Sequence, residues 1–321
     1  MPARTPSATA NDTERLASAA SPHAKTPGTL VSFDASVLKN GPQLELTAEL
    51  LGEPSGQARL RHDEKACQRA RTAVLETRRN ARFGAELWRI VNACGARYVR
   101  LSIGGRPFRI VGSDGGRRSD ALTVTEALIT PGERLELAIG PFEDEGAELA
   151  IESLPYRRTA MKRPRLDTWG KLRVGPRARS LATVPAATAT LWPLVPEGPR
   201  KPTRTVRLGA RMTLHGHDWL INDQQHYHDQ PVKVGELQLW ELLNETGMDH
   251  PFHLHGFFFQ VVAVDGVPVT PSEWKDTVNV VGKGRVTIAF RPDDRPGRWM
   301  YHCHILEHHA AGMMGHFEVV R

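Results

Sequence analysis

The sequence predicts an all-β protein made of two antiparallel β-sandwiches in tandem. Short alternating or apolar runs separated by turn residues begin near residue 81, and this pattern is typical of sandwich strands. The 28 glycines and 23 prolines suit strands joined by turns. A length of 321 residues allows about two ordinary domains, and one segment of the chain repeats at a constant offset of 152.

The elements can be assigned in chain order. The Ala/Ser/Thr/Pro-rich N-terminus is predicted to be disordered. The next part contains the strand-like runs TLVSFDASVL and LELTAELL, and a charged stretch that is either helical or poorly ordered. Clear strands follow in ELWRIVNA, YVRLSI, FRIVGSDG and LTVTEALITPGERLELAIG. The predicted organisation is a disordered 1–28, a first sandwich at 29–154 (of which 29–80 has weak patterning), a Pro/Arg/Ala/Thr-rich linker at 155–205, and a second sandwich at 206–321.

The repeat shows which residues are shared and which are not. The segment LWRIVNACGARYVRLSIGGRPFRIVGSDG (87–115) aligns with LWELLNETGMDHPFHLHGFFFQVVAVDG (239–266). The identical pairs are Leu87/Leu239, Trp88/Trp240, Asn92/Asn244, Gly95/Gly247 and Gly104/Gly256. Where the second copy has His250, His253 and His255, the first has Tyr98, Leu101 and Ile103. The fold is therefore shared, whereas the histidines belong to one copy, which favours a functional role for them.

Composition excludes several classes of function. The formal net charge is +6, yet no basic helix with interleaved aromatic residues is present, so nucleic-acid binding is not expected. No apolar run reaches 18 residues, so no transmembrane helix is predicted. The three cysteines, Cys67, Cys94 and Cys303, form no disulfide framework and no C-x-x-C knuckle. The N-terminus lacks an apolar segment typical of a secretory signal, which favours a cytosolic, mature or truncated chain.

Two histidine-rich motifs carry the chemistry. HPFHLHG places histidines at 250, 253 and 255, and HCH places Cys303 between His302 and His304. Residues two apart on a strand point the same way. His253 and His255 therefore share a face, His302 and His304 share a face, and Cys303 points to the opposite side.

These donor types favour copper, zinc or iron over calcium or magnesium. Two histidines, a cysteine and a thioether are the ligands of a blue-copper electron-transfer site. The C-terminal segment supplies Cys303, His308 and Met313. His250 is the natural second histidine, because it lies an odd number of residues before His253 and His255 and so does not share their face of the strand. The four remaining histidines would face a second metal site, namely His253, His255, His302 and His304. Zinc is the rival metal, although it gains little from a thioether; satisfied buried histidines explain two such clusters poorly.

Further histidines have a weaker signal. HGHD (215–218) and HYH (226–228) are H-x-H pairs that are either metal clamps or exposed loop histidines, and His316 has no assigned partner. Asp249 and Glu307 adjoin the candidate ligands and either attract a cationic or phenolic electron donor or are ordinary carboxylates.

HPFHLHG and HCHILEHHAAGM together, with WKDTVNV (274–280) and PGRWMYHCH (296–304), resemble the C-terminal domain of the multicopper oxidases, the laccase-like group. The resemblance covers 206–321, and 81–142 is similar to the family's copper-free second domain. It implies tandem cupredoxin-like Greek-key sandwiches in a periplasmic or extracellular enzyme. It also implies one-electron oxidation of phenols, amines or metal ions at a type 1 copper, coupled to reduction of O2 to water at a trinuclear cluster. Matched by motif, the implied ligands are His250, Cys303 and His308 with axial Met313 for type 1 copper, His253 for type 2, and His255, His302 and His304 for type 3.

The chain departs from the family pattern in two respects. The trinuclear cluster takes eight histidines, four of them from two H-x-H motifs in a first domain, but residues 1–200 contain only His23 and His62. The first domain is therefore expected to be missing, and the missing signal peptide would have preceded it; without that signal, cytoplasmic retention is the alternative location. In addition, His309 occupies the position where many relatives have an acid.

Three hypotheses follow. The chain is an oxidase completed by a separate chain or by a second copy of itself, with a small molecule or metal ion as electron donor and O2 as acceptor. Alternatively, it is a type 1 copper electron-transfer or copper-binding protein without oxygen chemistry. The third hypothesis is a truncated remnant of an oxidase.

Overall fold

The computed structural model describes residues 44–49, 86–158, 164–175, 191–195, 201–214 and 216–321. The predictions for 1–28, and those for 29–80 apart from the strand Leu44–Glu49, lie outside the described residues. Within those ranges 55% of the residues are in β-strands and 2% in helix, so the predicted all-β class is confirmed. No helix in the described residues has the length and apolarity needed to cross a bilayer.

The first sandwich is built from two sheets. Its strands are β1 Leu44–Glu49, β2 Glu86–Asn92, β3 Val99–Ile103, β4 Phe108–Ser113, β5 Gly116–Val124, β6 Glu126–Ile129, β7 Arg134–Ile139, β8 Glu148–Ser153 and β9 Asp167–Arg173. One sheet has the order β1-β2-β7-β4-β5 and the other β6-β3-β8-β9. Apolar side chains of both sheets, including Ile90, Leu101 and Leu137, form the core between them. Burial of this kind is the main stabilising term of a sandwich.

The second sandwich holds the histidine motifs. Its strands are β10 Arg204–Thr213, β11 Gly216–Ile221, β12 Tyr227–His228, β13 Val232–Lys233, β14 Gln238–Asn244, β15 His250–Leu254, β16 Gln260–Val264, β17 Val267–Pro268, β18 Thr277–Val280, β19 Arg285–Phe290, β20 Gly297–Cys303 and β21 Met314–Val320. The sheets run β11-β10-β14-β19-β16-β17 and β12-β21-β20-β15-β18, and β13 pairs with β21. A single short helix among the described residues, α1 (Leu306–Ala310), joins β20 to β21.

The sequence repeat corresponds to a repeat in topology. The strand order β2-β7-β4-β5 matches β14-β19-β16-β17, and β6-β3-β8-β9 matches β18-β15-β20-β21. The repeated asparagine has the same task in both copies. The Asn92 side-chain amide donates to the carbonyls of Arg97 and Ile129 (2.9 and 2.7 Å), and that of Asn244 to those of Met248 and Val280 (2.8 and 3.0 Å). Each amide therefore ties the end of one strand to the opposite sheet, which explains why this residue type recurs.

The segment expected to be a linker contains a strand. Strand β9 (Asp167–Arg173) pairs with β8 and places Trp169 and Leu172 in the first core. Its flanks are rich in proline and arginine, so composition hides a strand whose pairing depends on a partner elsewhere in the chain. Residues 167–173 of the expected linker thus belong to the first sandwich, and β10 begins at Arg204.

Charged side chains join the two sandwiches. The Arg134 guanidinium binds both carboxylate oxygens of Asp276 at 2.6 Å, and Asp114 accepts a hydrogen bond from the Asp276 backbone N–H at 3.3 Å. Lys275 Nζ lies 2.9 Å from Glu133 Oε1. Burial opposes the charge on Lys275, but the surrounding carboxylates outweigh it and raise the pKa of this ammonium group. A bidentate arginine pair fixes orientation as well as distance, so this network holds the start of β18 against the first sandwich.

Candidate metal centre

Three donor side chains meet in the core of the second sandwich. Cys303 Sγ lies 3.5 Å from Nδ1 of His250 and 3.5 Å from Nδ1 of His308, and the two Nδ1 atoms are 3.0 Å apart. All three residues are buried. Met313 is also fully buried, and its carbonyl accepts the Cys303 N–H at 3.1 Å. We refer to His250, Cys303 and His308 as the inner cluster.

The local fold explains how these residues meet. Cys303 pairs in register with Phe252, so its side chain points into the core, as does that of His250 two residues before Phe252. Helix α1 follows Cys303 closely, and its single turn places the His308 side chain beside the Cys303 sulfur. The Leu306 N–H at the helix start donates to the Gly95 carbonyl at 2.7 Å. A residue of the first sandwich therefore holds the helix that positions His308.

Hydrogen bonding leaves the Nδ1 atom of His250 available. The Thr246 hydroxyl donates to Asn244 Oδ1 (2.9 Å) or the Met248 carbonyl (3.1 Å), and the hydroxyl oxygen lies 2.8 Å from His250 Nε2. Because the Thr246 hydroxyl donates its only proton to one of these oxygens, its own oxygen accepts a hydrogen bond from His250 Nε2–H. The lone pair on Nδ1 therefore faces Cys303, as in histidine ligands whose other nitrogen is fixed by a neighbour.

Burial keeps the inner cluster neutral. It lowers the pKa of His250 to about 3 and that of His308 to about 2, and it raises the pKa of the Cys303 thiol to about 12. Neutral imidazoles are competent ligands, and a bound cation favours the thiolate over the thiol. The donor set therefore fits a soft or borderline metal ion held in a dry, enclosed place.

Trp219 covers the inner cluster and was not identified from the sequence. Its ring stacks on His308 with centroids 3.7 Å apart and meets His250 edge-on at 5.5 Å. Trp219 lies on β11, outside the repeat and outside both histidine motifs, so no sequence pattern pointed to it.

A second cluster, the outer cluster, lies on the opposite face of the same sheet. The donor atoms of His253, His255 and His302 lie within 4.8 Å of one another, with the Nε2 atoms of His255 and His302 at 2.9 Å. His304 borders this group, with its ring centroid 5.6 Å from those of His253 and His302. His309 stacks on His302 at 4.3 Å.

The outer histidines are oriented through their Nδ1 atoms. His253 Nδ1 lies 3.1 Å from the Asp276 carbonyl and 3.0 Å from Thr277 Oγ1, and His302 Nδ1 lies 2.9 Å from the Cys303 carbonyl. Each Nδ1–H donates to these oxygens, which leaves Nε2 as the metal-binding atom. Burial disfavours the charge on Asp276, but hydrogen bonds from His253 and Arg134 outweigh it and lower the pKa of this carboxyl. Asp276, which Arg134 of the first sandwich binds, thus also orients His253.

Gly132 packs against His304 from the first sandwich. It adopts φ +88°, and a Cβ atom at this position would lie 2.5 Å from His304 Cδ2. Only glycine leaves room for the imidazole here, since a real Cβ does not approach another heavy atom this closely. No sequence pattern indicates this contact, because it joins two different sandwiches.

All eight side chains selected from the sequence are found in or beside these clusters. His250, Cys303, His308 and Met313 are buried on the inner side, and His253, His255, His302 and His304 lie on the outer side. Asp249 is buried and accepts hydrogen bonds from Tyr156, Asn279 and Gly282. Its carboxylate therefore bonds within the fold and does not face an external electron donor. Glu307, His217, His226 and His228 are exposed, and His215 lies outside the described residues.

Comparisons with known proteins point in the same direction. The sequence model of the multicopper oxidase family matches residues 198–321. The laccase of Bacillus subtilis is 27% identical over 252 residues, which are 71% of this chain and 49% of that protein. A multicopper oxidase of Mycobacterium tuberculosis is 29% identical and is matched over 70% of this chain and 44% of its own length.

Solved structures agree with the sequence comparisons. A multicopper oxidase of Campylobacter jejuni, described as a metallo-oxidase, superposes with a TM-score of 0.62 at 28% identity, over 72% of this chain and 52% of that one. The multicopper oxidase of Aquifex aeolicus gives a TM-score of 0.65 at 26% identity, over 74% and 56%. The chain spans about half the length of the curated relatives it matches. With its repeated sandwiches and its paired histidine motifs, the chain is similar to the multicopper oxidases over about 70% of its length, and residues 198–321 match the model of that family.

Proposed function

We propose that the inner cluster binds a type 1 copper and that the chain takes part in one-electron oxidation of a small-molecule or metal-ion donor. The observation that carries this proposal is that Cys303 Sγ lies 3.5 Å from the Nδ1 atoms of His250 and His308 in the buried core, where Met313 is also buried. Copper bound there would cycle between its two common oxidation states and so supply the one-electron chemistry.

The protein's own residues prepare that site. Thr246 fixes the ring of His250, and the stacked ring of Trp219 fixes that of His308. Burial excludes water from Cys303, which protects the thiol from oxidation and keeps the environment of low polarity. Low polarity and hydrogen bonding around a cysteine ligand are the features that tune the potential of such sites.

We further propose that the outer cluster is half of an oxygen-reducing trinuclear copper site. His253 would be the type 2 ligand, and His255, His302 and His304 the type 3 ligands. Cys303 is covalently joined to both His302 and His304, so the two clusters are connected through a single residue of backbone. The remaining histidine ligands would come from another chain or from a second copy, and reduction of O2 to water would depend on that partner.

The test is copper stoichiometry together with the visible spectrum of the copper-loaded chain. An intense cysteine-to-copper charge-transfer band is expected; its loss in Cys303→Ser and His250→Ala, and its retention in His253→Ala, would support the type 1 assignment. A band that survives in Cys303→Ser would refute it.

The stoichiometry tests the second proposal separately. About four coppers per chain with O2-dependent oxidation would support a completed cluster. About one copper, with the band but without oxidase activity, would leave an electron-transfer protein and overturn the oxygen-reducing proposal.

A further inference from the structure

The outer face of the second sandwich carries a row of donor side chains beyond the outer cluster. In the sheet β12-β21-β20-β15, His316 pairs in register with His228 on one side and with Met300 on the other. The neighbouring positions Phe317 and Tyr301 are buried in the core. Because side chains alternate along a strand, His228, His316 and Met300 all lie on the outer face, side by side.

The two histidines of this row are in close contact. The ring centroids of His228 and His316 are 3.7 Å apart, with an angle of 73° between the rings. Among the described residues, Nε2 of His316 is buried and has no hydrogen-bond partner. A buried polar nitrogen without a partner destabilises the fold, and a bound cation would remove that penalty.

Met300 adds a sulfur to the pair. It lies half-buried directly across the strand boundary from His316, at the distance of a neighbouring residue on one sheet face. The next row along the strands pairs Arg298 with Glu318, whose charges offset each other. Two imidazoles and a thioether suit a soft, monovalent metal ion better than a hard divalent one.

We propose that His228, His316 and Met300 form a binding site for Cu(I), distinct from the inner and outer clusters. The site shares no ligand with either cluster. His255 continues the same row beyond Met300, since its N–H donates to the Met300 carbonyl at 2.9 Å. Met300 lies two residues before His302 on the same face of β20, so the site adjoins the outer cluster on that face of the sheet.

This assignment differs from an H-x-H clamp formed by His226 and His228, which was one of the two alternatives for that pair. His226 has φ 52° and lies outside β12, so it does not continue the strand alternation with His228. The partner of His228 is His316, the histidine for which the sequence suggested none.

The experiment is a titration of the full chain with Ag(I), a redox-inert probe of Cu(I) sites, followed by the ¹³C methyl signals of the methionines. We expect the Met300 methyl signal to shift on binding, and His316→Gln or His228→Gln to bind about one equivalent less than the parent chain. His228 is exposed, so its variant tests the site even where replacing His316 disturbs folding. His217→Gln replaces an exposed histidine on β11 and serves as the matched control with unchanged binding.

The outcomes are decisive in both directions. A Met300 signal that does not move, or equal Ag(I) binding by the parent chain and both histidine variants, would overturn the site. The result does not depend on the proposed oxidase function, because these variants leave the inner cluster and its charge-transfer band in place.

Discussion

Replacing Gly132 with alanine tests whether the first sandwich shapes the metal centre of the second. Gly132 has φ +88°, where an L-residue costs about 1–2 kcal/mol. The new Cβ would also lie 2.5 Å from Cδ2 and 2.8 Å from both Cγ and Nε2 of His304. Forcing a methyl group into a packed position costs about 1–3 kcal/mol more. The expected loss in the free energy of unfolding is therefore about 2–5 kcal/mol.

Gly146 provides the matched control. It has φ +82°, and a Cβ there would meet nothing within 4 Å, so Gly146→Ala carries only the backbone cost of about 1–2 kcal/mol. Urea unfolding of both variants isolates the contact with His304 as their difference. Copper content of the loaded chains gives a second readout, since a displaced His304 would lower metal occupancy at the outer cluster. Equal stability losses together with unchanged copper content would refute the packing role of Gly132.

Three further predictions concern the network, the inner cluster and pH. Arg134→Leu leaves Asp276 without its bidentate partner and should lower the free energy of unfolding in urea by about 2–4 kcal/mol. The loss is smaller than that expected on breaking a fully buried ion pair, because Arg134 is partly exposed. Thr246→Val removes the acceptor of His250 Nε2–H and should weaken copper binding by about 10–100-fold in a chelator competition. Burial lowers the pKa of three histidines well below the unfolded value of about 6.5. The copper-free chain should therefore be most stable above that pH, and should lose up to about 4 kcal/mol per pH unit as the pH falls below it, because unfolding takes up protons on His250, His302 and His308.

Each of these has a control within the chain. Lys171→Met breaks an exposed ion pair with Glu148 and should cost less than about 1 kcal/mol; a loss as large as that of Arg134→Leu would contradict the role of the buried network. Thr130→Val removes a buried hydroxyl that donates to Glu133 and to no residue of the inner cluster, so it should lower stability while leaving the copper affinity of the inner cluster unchanged. Stability of the copper-free chain that stays constant from about pH 7 to about pH 5 would contradict the neutral, buried histidines.

Strand periodicity predicted much of the site. Because a strand alternates faces at every residue, the sequence alone separated Cys303 from His302 and His304, and the structure places them on opposite sides of one sheet. The repeat predicted a shared topology, and the two sandwiches have it. These inferences succeed because they depend on local geometry that every strand obeys.

Long-range contacts set the limit of that reasoning. Trp219 stacks on His308 through the packing of β11, a strand outside both the HPFHLHG and the HCH motif. Gly132 and Arg134 act on the second sandwich from the first, so their roles depend on how the two sandwiches pack against each other. Strand β9 was hidden by proline and arginine on either side, although pairing with β8 overrides that local composition.

The alternation of donors along β20 has a consequence for folding. A shift of this strand by one residue would exchange its two faces, turning Cys303 outward and two imidazoles into the apolar core. Such a misaligned chain would bury its hydrophobic residues less well and could assemble neither cluster. A metal ion bound by Cys303 and His250 therefore stabilises a single alignment of the strands. Metal uptake would thus act as a check on correct strand pairing as well as a preparation for chemistry.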